Sequence, residues 1–202
     1  MRIKNFGGYS LGEYLGGGLY TKVYKAYSFL AKPTYGNPVA IKILYLKGGI
    51  VERNKLIKQF EREAEIAMNL EHPNIVKVYN FGRFDHHYAM IMEYIDGKNL
   101  KEFLYEKGKW DLNKILRICY EAGKGLEYIH QHNIVHKDVK PDNILISFDF
   151  EKIKFTISVT SADVTDEDMK KAMELAEGKL CPVWAMIKGN VNVTYETFIE
   201  RI

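Results

Sequence analysis

The sequence predicts an α+β fold, because a strand-rich first part is followed by helices. Runs of β-branched and aromatic residues mark five strands, and one stretch with apolar residues at every third or fourth position marks a helix between them. The strands are predicted at residues 9–15, 21–27, 39–44, 75–79 and 88–94, and the helices at residues 54–70, 100–105 and 112–130. This order predicts two small layers that meet near residues 93–97.

The last part of the chain has a different pattern. Thr165 precedes three acidic residues, which is typical of a helix start, and Gly178 ends the apolar periodicity. A second helix is predicted to begin at Cys181-Pro182, and residues 190–197 alternate as in a half-buried strand. A short ααβ segment is therefore expected over residues 157–202.

Composition narrows the class of partner. The chain is 47% hydrophobic and 27% charged, as expected for an ordinary globular protein, and its net charge is +3. That charge is too small to indicate nucleic acid or an anionic membrane as a partner. No apolar run has the length of a membrane span, and the two cysteines show no disulfide or metal spacing. We therefore expect a cytoplasmic protein.

Two features of the first part indicate an anion-binding site. Gly16 to Gly18 lie at the tip of a predicted hairpin, where glycines either make a plain turn or let backbone N–H groups approach an anion. Lys42 lies within the apolar run 39–44. It could be on the exposed face of an edge strand, but Ala40 and Leu44 share its face, and a lysine there needs an anionic partner.

A polar loop at residues 136–143 is the strongest chemical signal. It places Asp138, Lys140 and Asn143 close together between the apolar runs at 134–135 and 144–146. Catalytic and binding residues commonly lie on loops that rigid elements hold in position. An ordinary polar turn is the alternative.

These segments, in this order, resemble the protein kinase family over about residues 8–156, with features of serine/threonine kinases. The glycine tip resembles the phosphate-covering loop, with Thr21 in place of its third glycine, and residues 39–42 match the Val-Ala-Ile-Lys motif. The resemblance implies an ATP site whose Lys42 contacts phosphates and pairs with Glu63 of the helix. The helix pattern also favours Glu63, which lies between Phe60 and Ala64 at the border of the apolar stripe, although Glu61 and Glu65 leave a merely solvated face as the alternative. The implied nucleotide-binding residues in this part are Gly16, Gly18, Val23, Ala40 and Lys42.

The resemblance extends to the hinge and the catalytic loop. Met92 corresponds to the gatekeeper, and Glu93 to Ile95 correspond to the hinge whose backbone groups hold adenine. Asp138 would orient the substrate hydroxyl and accept its proton, Lys140 would stabilise the transferred phosphoryl group, and Asn143 would bind Mg²⁺. His136 is interpreted as a structural histidine, and Lys137 replaces the usual arginine.

The kinase pattern stops after residue 156. The metal-binding Asp-Phe-Gly motif is absent, because Ile157-Ser158-Val159 follow Thr156, and no Ala-Pro-Glu occurs. Residues from about 152 to 202 resemble the C-terminal half of the OsmC-like family, related to organic hydroperoxide resistance proteins. By that resemblance Cys181 would be a redox thiol, although a small residue capping a helix is the alternative.

The sequence thus predicts three units: a kinase-like small lobe (1–95), a partial large lobe with the catalytic loop (96–156) and an OsmC-like segment (157–202). The leading hypothesis is an ATP- and Mg²⁺-dependent serine/threonine kinase that transfers phosphate to a protein, impaired by the missing metal ligand. The alternatives are a non-catalytic nucleotide-binding pseudokinase or truncated fusion, and a thiol redox protein acting through Cys181. We also expect apolar surface on the helix from Ile115 to Ile129, which would favour self-association.

Overall fold

The computed structural model describes residues 5–6, 8–84, 86–105, 112–149 and 152–156. The first part contains six strands and one helix: β1 (Asn5–Phe6), β2 (Tyr9–Gly17), β3 (Thr21–Ser28), β4 (Val39–Leu44), α1 (Ile50–Met68), β5 (Val78–Phe84) and β6 (His87–Glu93). The second part contains β7 (Gly97–Asn99), α2 (Leu100–Tyr105), α3 (Leu112–Gln131), a 3₁₀ turn (Pro141–Asn143), β8 (Ile144–Ser147) and β9 (Ile153–Phe155). The predicted α+β class is confirmed.

The first six strands form one antiparallel sheet in the order β1-β2-β3-β4-β6-β5. The two-residue strand β1 extends the predicted five strands at one edge. Strand β4 is central and buried on both faces, because Val39, Ile41 and Ile43 enter one apolar cluster, while Ala40 and Leu44 enter the other. Lys42 therefore lies on the face that Ala40 and Leu44 share.

Helix α1 and strand β5 depart from their predicted bounds for physical reasons. Helix α1 begins at Ile50 rather than residue 54, and Ile50 and Val51 are exposed, so the first turn carries no buried stripe for a pattern to reveal. Strand β5 begins at Val78 rather than residue 75. Ile75 instead forms a parallel bridge with Phe155, and the Val76 N–H donates to the Phe155 carbonyl at 2.8 Å.

The second part of the fold is built on helix α3 and the three-stranded sheet β7-β8-β9. Helix α3 packs on β9, and its apolar residues join the same core cluster as the α1 face of the large sheet. Within the described residues, no helix is long and apolar enough to cross a membrane.

The prediction of an exposed apolar surface along α3 is wrong. Ile115, Ala122 and Ile129 are each 1% exposed and Leu126 is 7% exposed. This face lies in a core cluster with Leu100 and Phe103 of α2 and with residues of β8 and β9. Short neighbouring elements are enough to cover it, because each contributes large apolar side chains. Among the residues of α3 whose burial the structure describes, Leu116 and Tyr120 are the large apolar residues that are exposed.

Candidate active site

The glycine tip is a tight hairpin between β2 and β3. The Gly18 N–H donates to the Thr21 carbonyl at 2.9 Å, which closes the turn. Gly16 has a φ of 150°. At Gly17 an added Cβ would lie 2.3 Å from the backbone oxygen of Thr21. Of the three glycines at the tip, Gly17 is therefore the one that tolerates a side chain least. The sequence argument selected Gly16 and Gly18 and missed Gly17, although the run of three glycines contained the signal.

Lys42 and Glu63 form an ion pair between the sheet and helix α1. The Lys42 Nζ and Glu63 Oε1 atoms are 2.5 Å apart, and the two side chains are 18% and 12% exposed. Glu63 lies in the stripe that α1 buries with Phe60 and Ala64, whereas Glu65 is exposed. The helix phase therefore selects Glu63 as the partner.

Apolar residues surround the ion pair on the same side of the sheet. Val23 pairs with Lys42 across β3 and β4, and Ala40 pairs with Met92 across β4 and β6. Ala40, Met92 and Ile95 are buried, and Val23 packs against their cluster. The candidate nucleotide-binding residues of the three strands and the hinge thus belong to, or pack against, one apolar cluster that extends to Lys42.

The catalytic loop forms a compact hydrogen-bonded group. The Lys140 Nζ lies 2.7 Å from Asp138 Oδ2. The Asn143 Nδ2 donates to the Asp138 backbone carbonyl at 2.7 Å and to Asp138 Oδ2 at 3.0 Å. Burial raises the pKa of Asp138, but the bonds from Lys140 and Asn143 outweigh it, so its pKa lies below the ordinary value. The Asp138 carboxylate is therefore charged at neutral pH.

His136 anchors this loop to the end of β9. Its side chain is 1% exposed, and its Nε2 lies 2.8 Å from the Thr156 carbonyl, so Nε2 carries the proton. Its Nδ1 then accepts from the Asp138 N–H at 3.3 Å. Burial lowers the pKa of His136. Lys137 takes a φ of 59°, a left-handed conformation that the short turn between His136 and Asp138 imposes.

The described residues offer few ligands for a divalent cation. Within them, no group of three or more His, Cys, Asp and Glu side chains lies together. Asn143 turns its amide nitrogen toward Asp138, which leaves Oδ1 as its oxygen ligand. Mg²⁺ prefers oxygen ligands and is commonly bound partly by substrate phosphates. The Oδ1 atom of Asn143 suits this chemistry, and Asn143 would be a protein ligand of a Mg²⁺ ion that arrives with phosphates. Cys181 and the OsmC-like segment lie outside the described residues.

A protein kinase domain model matches residues 9–160. The chain belongs to the protein kinase family. The serine/threonine-protein kinase PrkC of Bacillus subtilis is 38% identical over 140 residues, which are 69% of this chain and 21% of PrkC. The serine/threonine-protein kinase PknB of Mycolicibacterium smegmatis is 34% identical over 143 residues, which are 69% of this chain and 22% of PknB. The chain spans about a fifth of the length of these curated relatives.

Solved kinase structures agree with this assignment. A cysteine-to-alanine mutant of the PknI kinase domain of Mycobacterium tuberculosis superposes with a TM-score of 0.61 at 25% sequence identity. The match covers 78% of this chain and 62% of the PknI chain. The kinase-like small lobe and partial large lobe expected from the sequence are thus present.

Substituting adjacent glycines of the tip should have unequal effects. We expect Gly17→Ala to distort the hairpin, because the new methyl group would meet backbone that cannot rotate away. Gly18→Ala is the matched control, since its Cβ would lie 3.9 Å from its nearest neighbour, the Thr21 side-chain oxygen. Thermal unfolding of both variants measures the difference. Equal melting temperatures would contradict the close approach.

The stability of the kinase fold should fall with acidity. The unfolded chain has an ordinary histidine pKa of 6.5, and the folded pKa of His136 is lower. The unfolded state therefore binds more protons between these two pKa values. The contribution of His136 to the free energy of unfolding is fully present above pH 6.5 and is lost as the pH falls below that value. Urea unfolding from about pH 5 to pH 8 measures the slope. His136→Gln should reduce this slope, and the slope that remains would come from His72 and His130, because burial lowers the pKa of each of these histidines as well.

Proposed function

We propose that this chain binds ATP beside Lys42, as a member of the serine/threonine kinase class. The observation that carries the proposal is the ion pair between Lys42 and Glu63, at 2.5 Å and mostly shielded from water. A single carboxylate holds the ammonium group in place, and the ammonium retains donors for phosphate oxygens. The apolar cluster that contains Ala40 and Met92, with Val23 packed against it, lies beside this pair and suits the neighbouring contact for a purine ring.

Phosphate transfer to a protein hydroxyl is the second candidate function. It is favoured by the group of Asp138, Lys140 and Asn143, whose hydrogen bonds hold the carboxylate where it can orient a hydroxyl. Bound Mg²⁺ would neutralise charge on the phosphates, with Asn143 as its ligand. Lys140, which is half exposed, can reach a phosphoryl oxygen. Ile157 stands where kinases carry the metal-binding aspartate, so we propose that transfer is slow relative to binding.

Nucleotide binding is tested by titrating ATP, with and without Mg²⁺, into the unsubstituted chain and Lys42→Met. Loss of a charged hydrogen-bond donor should weaken ATP binding by about tenfold or more. Lys58→Met, on the exposed side of α1, is the control and should bind as the unsubstituted chain does. If ATP neither binds nor raises the melting temperature, both with and without Mg²⁺, the proposal is contradicted.

Phosphate transfer is tested with labelled ATP and a generic protein substrate. Any transfer by the unsubstituted chain should decrease by about 100-fold or more in Asp138→Asn, because the amide cannot accept the hydroxyl proton. ATP affinity should change by less than about threefold, since the substituted side chain keeps its size. Equal rates in the two proteins would remove the kinase reaction and leave nucleotide binding as the function.

A further inference from the structure

A second shielded lysine–carboxylate pair joins the hinge to β9, the second strand after the catalytic loop. Strand β6 ends at Glu93, and the Glu93 Oε2 lies 2.6 Å from the Lys154 Nζ of β9. These side chains are 15% and 13% exposed, so the pair is shielded about as well as the one at Lys42. Lys152, just before β9, is 3.5 Å from Glu93 and 55% exposed. Lys154 is therefore the principal partner of the hinge carboxylate.

The geometry gives this pair a short connection to the catalytic loop. Lys154 pairs with Leu145 of β8, two positions after Asn143. Next to Lys154, Phe155 pairs with Ile144, and the Thr156 N–H donates to the Asn143 carbonyl at 3.0 Å. One three-residue strand thus holds both the loop and, through Lys154, the end of β6.

Glu93 is held from two directions. Its backbone N–H donates to the Lys77 carbonyl at 2.9 Å, while its side chain is bound by Lys154. A partly buried ion pair resists separation, because removing one partner leaves the other as an uncompensated charge. Rotation of the hinge relative to β9 would pull these charges apart, so the pair constrains the orientation of the segment from Glu93 to Ile95.

We propose that Lys154 is a positioning residue for adenine binding, acting through Glu93 on the hinge backbone. This role rests on the proposed ATP site. It predicts that breaking the pair weakens every ligand that carries adenine by the same factor, whether or not the ligand has phosphates. Lys42, by contrast, should affect ligands with phosphates only.

The test measures the affinities for ATP and adenosine in Lys154→Met, Glu93→Gln and the double variant. We expect each single variant to weaken both ligands by about fivefold, and the double variant to bind no worse than either, as for two residues acting as a unit. Lys152→Met is the matched control and should stay within about twofold. Lys154→Arg keeps the charge and should restore most of the affinity.

Each contrary outcome has a distinct meaning. Unchanged adenosine affinity in Lys154→Met, or additive losses in the double variant, would overturn the positioning role. A lower melting temperature with unchanged affinities would assign the pair to stability alone and would also overturn it. If the unsubstituted chain binds neither ligand, the proposed ATP site and the role of Lys154 fail together. If the unsubstituted chain binds ATP and Lys154→Met binds ATP and adenosine as tightly as that chain does, only the role of Lys154 is rejected.

Discussion

The backbone of Phe155 is the constraint on which the rest of this structure depends. Its N–H donates to the Asn74 carbonyl at 2.9 Å, and its carbonyl accepts from the Val76 N–H at 2.8 Å. Phe155 also pairs with Ile144 of β8, directly after the 3₁₀ turn of the catalytic loop. Its ring is buried and meets His136 edge to face, with 5.5 Å between the ring centroids. The segment before β5, the core and the loop are therefore joined at one residue.

Three lysine–carboxylate pairs have been described above, and they differ in the exposure of their side chains. Lys42 with Glu63 and Lys154 with Glu93 are shielded, whereas Lys140 and Asp138 are 47% and 43% exposed. Shielded pairs hold their geometry, because water cannot readily replace either partner. The exposed pair can separate at little cost when another charged group arrives. The first two pairs are suited to positioning, and the third is suited to contact with a substrate.

Membership of the kinase family and the chemistry of the site are separate conclusions. The family rests on a match over residues 9–160 and on relatives such as PrkC and PknB. The site rests on contacts among described residues, and those contacts support nucleotide binding more fully than phosphate transfer. The difference arises from charge. Lys42 is held by the Glu63 carboxylate, whereas Asn143 offers a cation one uncharged oxygen.

Local pattern was sufficient for much of the fold and part of the site. Strand β4 has the predicted bounds 39–44, and helix α3 differs from its prediction by one residue at its end. Alternation placed Lys42 on the face of Ala40, and helix periodicity singled out Glu63, because side-chain direction repeats with the period of each element. The expectation of an exposed α3 face was wrong, since periodicity identifies an apolar stripe but not what covers it.

The sequence by itself therefore determined the α+β class, the order of the five predicted strands and three predicted helices, and the residue types of the candidate site. Only the tertiary structure decided which distant groups meet. Lys154 and Glu93 are 61 residues apart, and Asn74 lies 79 residues from the Ile153 carbonyl to which its side chain donates. Gly17 is intolerant of a side chain only because Thr21 lies opposite it. Such contacts depend on strand register and on the path of the chain between elements, which the local spacing of residues does not encode.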